Sequence, residues 1–321
     1  MNHIRRLSHL PILFAFVAAT SGISSAENLS LPYRPAVGSR WIGTIETRET
    51  KTRGQSADST IVREKNEHRI VGKLKNGYRV TYKIGDGSFE GDSPVLKLMA
   101  PVIGSMKGLS FTFETDEGGA PVRILDVAKL KVPVIKAIDI VAQSKPEFAS
   151  VPQLKQFMDG LRAQYDGATP ETGVQLFLDK LLSYSVVQGL TDMPVGEERS
   201  YDDEVAHPLT GTKMRARGAV KITSVDRAAG LATIEWQQVV LPEDLTKATL
   251  EVVKRILPNS DQGSKEFMAA LAQMKIDHLD RATYKVALAD GVVRRMEKTT
   301  VVKTEGGEKN TTVIMTLNPA K

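Results

Sequence analysis

Apolar and polar residues alternate along two separated parts of the chain, and each part predicts a set of antiparallel strands. The first opens at Val37-Gly38 and continues through Arg40-Trp41-Ile42-Gly43-Thr44-Ile45-Glu46-Thr47, Thr60-Ile61-Val62-Arg63 and His68-Arg69-Ile70-Val71. Lys51 to Asp58 is polar, with glycine and serine, as expected of a hairpin loop. Asn76-Gly77 predicts a type I′ turn, because both residues tolerate positive φ, and it leads into the alternating Tyr78, Val80 and Tyr82. A short helical insert is expected over Pro94 to Met106. Strands then return at Leu109 to Thr115 and, past a Gly118-Gly119 turn, at Pro121 to Leu125.

The middle of the chain changes period from two to that of a helix. Val127 to Ala142 is apolar at helical spacing and carries Pro133, which predicts a kink or break there. Ser150 is placed as an N-cap with Pro152 in the first turn of a second helix, whose Leu154, Phe157, Met158, Leu161 and Tyr165 share a face. Thr169-Pro170 predicts the start of a third helix, running to about Leu190, with Leu176, Phe177, Leu178, Leu181, Leu182 and Tyr184 making it the most apolar.

Alternation resumes at Val195-Gly196 and predicts strands at Ser200 to Val205, Met214 to Val225 and Leu231 to Val240. A helical insert over 242–275 follows: one helix begins at Pro242-Glu243-Asp244 and ends at Pro258, and a second is capped by Ser264. Three strands close the chain, Asp280 to Leu288, Val292 to Val302 and Asn310 to Leu317, with turns at Asp290-Gly291 and Gly306-Gly307.

The two stretches echo each other at two anchors in the same order. Val37-Gly38 answers to Val195-Gly196, and Gly119-Ala120-Pro121-Val122-Arg123 answers to Gly291-Val292-Val293-Arg294. This points to a two-fold internal repeat. The expected fold class is α+β: a large curved antiparallel β-sheet, half-barrel-like, covered by inserted helices. The expected organisation is a leader at 1–26, a first β-rich half at 27–126, a central helical segment at 127–193 and a second β-rich half at 194–321. Residues 27–321 are compatible with a single domain.

Composition narrows the setting. Hydrophobic residues make up 41% and charged residues 25% of the 321, as in an ordinary folded chain. Arg5 and Arg6, the apolar run Pro11 to Ala19 and the small residues Ser24-Ser25-Ala26 read as a secretory signal peptide cleaved after Ala26. The apolar run is far shorter than the roughly 20 residues that span a bilayer, so no transmembrane anchor is expected after cleavage. Loss of the two arginines lowers the net charge from +5 (43 Lys and Arg against 38 Asp and Glu) to +3 (41 against 38). So small and dispersed a surplus gives no footprint for nucleic acid. The absence of cysteine excludes disulfides, a cysteine nucleophile, thiolate metal sites and a lipid-bearing cysteine. A periplasmic protein is the expectation.

Catalytic patterns are absent. His68, His207 and His278 form no metal-ligand spacing, and there is no G-x-S-x-G elbow, S-x-x-K motif, P-loop or dinucleotide signature. Asp86-Gly87-Ser88-Phe89-Glu90-Gly91-Asp92 groups three carboxylates but misses the EF-hand spacing, and reads as a solvated loop. Tyr201-Asp202-Asp203-Glu204 suits an exposed, charged sheet edge. Lys213, Arg215 and Arg217 suit pairing with acidic neighbours across the sheet. No enzyme activity, cofactor or metal is expected.

A sheet of this kind cannot leave an apolar face wet, and an imperfect helical cover leaves an apolar cavity. Export, two β-rich stretches and helices inserted between strands, spread over residues 37–317, resemble the half-barrel-with-helical-lid family of periplasmic lipoprotein carriers and mycobacterial lipid-carrier lipoproteins. The resemblance implies a non-catalytic binding or carrier protein for an apolar small molecule or lipid. The candidate lining residues, bulky positions on strands and on the most apolar helix, are Trp41, Tyr82, Phe111, Phe113, Leu178, Leu182 and Trp236. The alternative is a cell-envelope scaffold that docks another envelope protein and has a fully packed interior.

Overall fold

Both alternating stretches enter one sheet. The computed structural model describes residues 27–54, 56–91, 106–144, 152–207, 211–256 and 273–320, together with 104, 150 and 269. The leader at 1–26 and most of both the helix expected from Ser264 and the Pro94–Met106 insert lie outside the described residues. The strands are β1 (Asn28–Leu29), β2 (Arg40–Arg53), β3 (Ser56–Leu74), β4 (Gly77–Glu90), β5 (Ser110–Thr115), β6 (Pro121–Ile124), β7 (Met193–Pro194), β8 (Glu198–Ala206), β9 (Lys213–Asp226), β10 (Leu231–Val240), β11 (Asp277–Ala287), β12 (Val293–Thr304) and β13 (Gly307–Pro319). The helices are α1 (Val127–Ser144), α2 (Pro152–Asp166), α3 (Thr172–Phe177), α4 (Asp179–Tyr184) and α5 (Pro242–Ile256).

Eleven strands form a curved antiparallel sheet in the order β6-β5-β4-β3-β2-β13-β12-β11-β10-β9-β8, and a two-stranded piece, β1-β7, lies apart from it. The first and last long strands are joined at the centre, where Ile45 of β2 faces Met315 of β13. The sheet is not closed: β6 and β8 are its two edges. Glycine amides enter both stretches with the same geometry. Gly38 (φ 92°) donates to the Ile70 carbonyl and Gly196 (φ 89°) to the Ile222 carbonyl, each at 2.8 Å.

Period-two alternation puts one residue in two on the inner face. Trp41, Ile45, Ile70, Val80, Phe113, Ile222, Ile234, Tyr284, Met296, Met315 and Leu317 point there and are buried in one hydrophobic cluster. Their burial is the dominant stabilising term, at about 25 cal/mol per Å² of apolar surface removed from water. The helices supply the cover. α3 packs on β6, α1 on β5 and α2, and α2 on α5, which rests on β9 beside the far edge. A chain of helices, α1 to α2 to α5, therefore runs from β5 to β9, the strands next to the two edges that the sheet leaves unjoined.

Local details depart from the sequence expectations at several points. Asn76-Gly77 is not a type I′ turn, since Gly77 alone has positive φ (145°). A side chain at Gly77 would meet the Thr115 carbonyl oxygen at 1.9 Å, so the neighbouring hairpin, as well as the turn, requires glycine here. The expected loop Lys51 to Asp58 is mostly strand, with β2 running to Arg53 and β3 starting at Ser56. α1 runs from Val127 to Ser144 without a break at Pro133. The long apolar helix from Thr172 to Leu190 is two short ones, α3 and α4, parted at Leu178 (φ −123°, ψ 24°) and followed by turns. Thr169 caps the first turn: its hydroxyl accepts from the Thr172 amide at 3.2 Å, its own amide donates to Thr172 Oγ1 at 2.8 Å, and its carbonyl accepts from the Gly173 amide at 2.8 Å, although the regular helix starts only at Thr172.

The charged edge follows the expected pattern. Lys213 pairs with Glu204 (2.9 Å) and Arg217 with Asp202 (3.6 Å) across β8 and β9. Arg215 instead reaches α5, where it pairs with Asp244 (2.8 Å) and Glu243 (3.1 Å). In the Asp86–Asp92 stretch, Asp86 pairs with Lys107 at 2.6 Å and Glu90 pairs with Arg63, while Asp92 lies outside the described residues.

Candidate functional site

The inner face carries three adjoining features: an aromatic row, a small cavity and a buried polar network. The row crosses β3, β4 and β5. Register sets His68 opposite Tyr82 and Tyr82 opposite Phe111, and every second residue along β5 then adds Phe113. Successive ring centroids are 4.8, 5.2 and 6.4 Å apart. His68 Nε2 donates to Asn66 Oδ1 at 2.8 Å, since that oxygen can only accept. Burial away from water lowers the His68 pKa to about 4, so the imidazole is neutral at pH 7. Burial likewise raises the Tyr82 phenol.

A cavity of about 40 Å³ lies where this row meets α4 and the N-terminal lead-in. Trp41, His68 and Phe113 wall it from the sheet, Leu181, Tyr184 and Gln188 from the helical side. Two phenols lock that helical wall to the sheet. Tyr184 donates to the Val293 carbonyl, and Tyr284 donates to the Ser183 carbonyl at 2.9 Å. Beside the cavity, the Arg294 guanidinium sits 5.8 Å from the centroid of the Trp41 ring. Its Nη2 donates to Asp290 Oδ2 at 2.7 Å, while its Nη1 is buried with no hydrogen-bond partner among the described residues.

The polar network occupies the inner face of β8 to β12. Trp236 Nε1 donates to Tyr201 Oη at 2.5 Å, and Gln238 Nε2 to Asp203 Oδ2 at 3.1 Å. Asp280 accepts from Thr300 Oγ1 at 2.5 Å and pairs with Lys298 Nζ at 3.0 Å. Lys298 Nζ also lies 5.7 Å from the centroid of the Trp236 ring. Burial raises the Tyr201 pKa to about 12 against the opposing Trp236 donor. His278 is held below its ordinary value, chiefly by burial.

Six of the seven residues picked from the sequence, Trp41, Tyr82, Phe111, Phe113, Leu178 and Trp236, are buried in the main core cluster, and Leu182 packs against it. Trp41 and Phe113 line the cavity; the other five are not among its walls. Trp236 belongs instead to the polar network. Asp280, Lys298, Gln238 and Arg294 were not picked. The usable signal was parity, because Asp280 falls in the same alternating register as Ala282 and Tyr284, and Lys298 in that of Met296. A charge at an apolar parity marks a buried polar position.

No protein-family model matches the chain, and no curated protein matches it in sequence. Among solved structures it is similar to lipovitellin, described for its lipid–protein interactions, with 8% identity and a TM-score of 0.41 over 89% of this chain. The match spans only 26% of the lipovitellin chain. It also overlaps DynF of the dynemicin biosynthesis pathway of Micromonospora chersina (7% identity, TM-score 0.21, 96% and 94% of the two chains). An outer membrane channel from Pseudomonas putida F1 follows (6% identity, TM-score 0.17, 94% and 100%).

Proposed function

We propose that this is a non-catalytic periplasmic binding or carrier protein for an apolar ligand, a lipid or acyl chain. The observation that carries the reading is the way the inner face is covered. The sheet leaves β6 and β8 unjoined, and separate helices run from β5 to β9 beside those edges. The outer helices α1, α2 and α5 can lift without unravelling the sheet, because few of their side chains are deeply buried, whereas α3 and α4 bury Val174, Leu181 and Tyr184 and must be displaced with them. Leu130, Ala137 and Ile138 are the buried residues of α1, and among the described side chains Met158 serves α2 and Ala248 serves α5. An acyl chain would then lie along the aromatic row, against Trp41, Phe113, Phe111 and Tyr82, in space that α3 and α4 fill in the closed form. The periplasmic assignment rests on the leader sequence.

Mass spectrometry of protein purified gently from its native envelope tests this reading. A co-purifying lipid or acyl compound in stoichiometric amount is the expected result. Protein that is consistently empty, and that takes up no fluorescent acyl probe, overturns it. That outcome would favour the second reading, an envelope scaffold. The observation on its side is how little space the inner face leaves, a cavity of about 40 Å³ that holds only a few waters at roughly 10–15 Å³ each.

A further inference from the structure

Resting on the carrier reading, we infer that His68 and Gln188 form a subsite in the cavity for the end of an apolar ligand that carries an uncharged hydroxyl. Both residues wall the cavity, and both are more than nine-tenths buried, at 7% and 6% exposed. Three other polar walls are already engaged. Thr115 Oγ1 accepts from the Tyr78 amide at 3.1 Å and donates to the Asp116 carbonyl at 2.9 Å. Tyr184 donates to the Val293 carbonyl, and Ser185 Oγ to the Leu182 carbonyl at 3.0 Å. Gln188 differs, because no hydrogen bond engages its side-chain amide among the described residues. His68 spends Nε2 on Asn66, which leaves the lone pair of Nδ1 without a donor among the described residues. Unlike Arg294 Nη1, these atoms are not sealed away from a water-sized group. Buried polar groups are seldom left unpaired, so a donor and two acceptors at one cavity point to a polar occupant.

The fold makes room for the amide. The Gln188 backbone N–H donates to the Ser185 carbonyl at 3.1 Å, which anchors the residue in the turns after α4. A Cβ at Gly119, another wall residue, would come within 2.7 Å of Gln188 Oε1, so the hairpin turn opposite yields its side-chain space to this oxygen. The chemistry of the walls then selects the occupant. A hydroxyl can donate to His68 Nδ1 and accept from Gln188 Nε2, alone or with a water beside it. The imidazole is neutral at pH 7, since burial lowers its pKa to about 4, and it keeps the lone pair that such a donor needs. No Lys, Arg, Asp or Glu is among the described walls, so a carboxylate or an ammonium would be buried there without a counter-charge. A cavity of about 40 Å³ takes a hydroxyl with one or two methylenes, at roughly 10–15 Å³ per water-sized group. Trp41 and Phe113 stand in the same wall and lead the rest of the chain onto the aromatic row.

The test uses the purified protein at pH 7.5 and three eight-carbon probes, 1-octanol, 1-chlorooctane and octanoate, with affinities read by calorimetry. 1-Chlorooctane matches the alcohol in length and is the more apolar of the two, so packing alone would favour it. 1-Octanol is instead expected to bind about tenfold more tightly than 1-chlorooctane, the worth of a satisfied buried hydrogen bond, and octanoate is expected to bind most weakly. In Gln188→Leu, 1-octanol is expected to weaken about tenfold and lose its advantage, with 1-chlorooctane unchanged. A preference for 1-octanol that survives this substitution overturns the assignment of Gln188. 1-Chlorooctane binding as tightly as 1-octanol in the native protein means that the two groups hold only water, and overturns the subsite while leaving the carrier reading intact. Octanoate binding most tightly overturns it as well, because the site would then recognise charge. Binding of none of the probes removes the carrier reading and the subsite together. Should Gln188→Leu fail to fold, the native protein's ranking of the three probes decides the matter alone.

Discussion

Gly218 of β9 lies directly opposite Tyr201 of β8, and the tyrosine ring occupies the space that a glycine side chain would need. A Cβ at Gly218 would come within 2.3 Å of Tyr201 Cζ. The ring is held there because its hydroxyl accepts from Trp236 Nε1 at 2.5 Å. The same relationship occurs in the other half of the sheet, on the same face. Gly43 of β2 faces Asn66 of β3, and a Cβ there would stand 1.9 Å from Asn66 Oδ1. In both cases the missing side chain lets a cross-strand polar neighbour fold over the inner face. Gly218→Ala is therefore expected to destabilise the protein by about 2–3 kcal/mol, from overpacking and displacement of the tyrosine. Tyr201→Phe, which keeps the ring and strands the indole N–H, is expected to lose only about 1 kcal/mol. Urea unfolding ranks the two, and an alanine variant as stable as the native protein would refute the close approach.

Stability should fall in mild acid because of His68. Its folded pKa of about 4 lies below the ordinary 6.5. Below pH 6.5 the unfolded chain therefore gains a proton that the folded chain does not accept until about pH 4. The stability is fully present above pH 6.5 and is lost as the pH falls toward 4, amounting to about 3 kcal/mol over the window. The lowered pKa of His278 acts in the same direction. Urea midpoints measured at pH 7.5 and pH 5 should differ in the native protein, and His68→Phe should flatten the difference. A native protein equally stable at both values would count against a buried neutral imidazole.

The buried pair Lys298–Asp280 makes an opposite kind of demand. The two side chains are only 18% and 11% exposed and meet at 3.0 Å. Removing one partner leaves an uncompensated charge inside, so Lys298→Met is expected to lose about 3 kcal/mol or more. Replacing both, as Lys298→Met with Asp280→Leu, should recover much of that loss, since apolar replacements of a buried pair are often neutral. A double-mutant cycle reads the coupling directly. Additive losses from the two single changes would mean that the pair does not interact.

How far the sequence carried this picture depends on the range of the contacts. Trp41, Tyr82, Phe111, Phe113 and Trp236 could be assigned to the interior because alternation alone decides which face a strand residue takes. Leu178 could be assigned to the core but not to a break between α3 and α4, since its φ of −123° follows from packing rather than local propensity. Register was out of reach. Nothing local says that Gly218 faces Tyr201 or that β2 joins β13, because both depend on which strands neighbour each other. The same holds for Arg294, which became conspicuous only when the Trp41 ring and Asp290 were seen on either side of it.

The attachment of α5 to the sheet should control how readily the helical cover opens. Asp244, in the first turn of α5, accepts from both the Arg215 backbone amide and its Nε at 2.8 Å, and from Nη2 at 2.9 Å. These bonds from Arg215 hold the Asp244 carboxyl down at about 2, so the clasp persists through the physiological range. Arg215 also pairs with Glu243 on the same turn, at 3.1 Å. Asp244→Asn removes the charge and keeps one acceptor oxygen, which weakens the clasp without creating a void. Amide hydrogen exchange in α5 is expected to speed up in this variant, while exchange in β2, β3 and β13 stays unchanged, because the cover opens as a unit separate from the sheet. If the carrier reading is right, the same variant should also take up and release a fluorescent acyl probe faster. Uniform acceleration across the sheet would instead mean that α5 and the sheet unfold together, and that the cover is not an independent element.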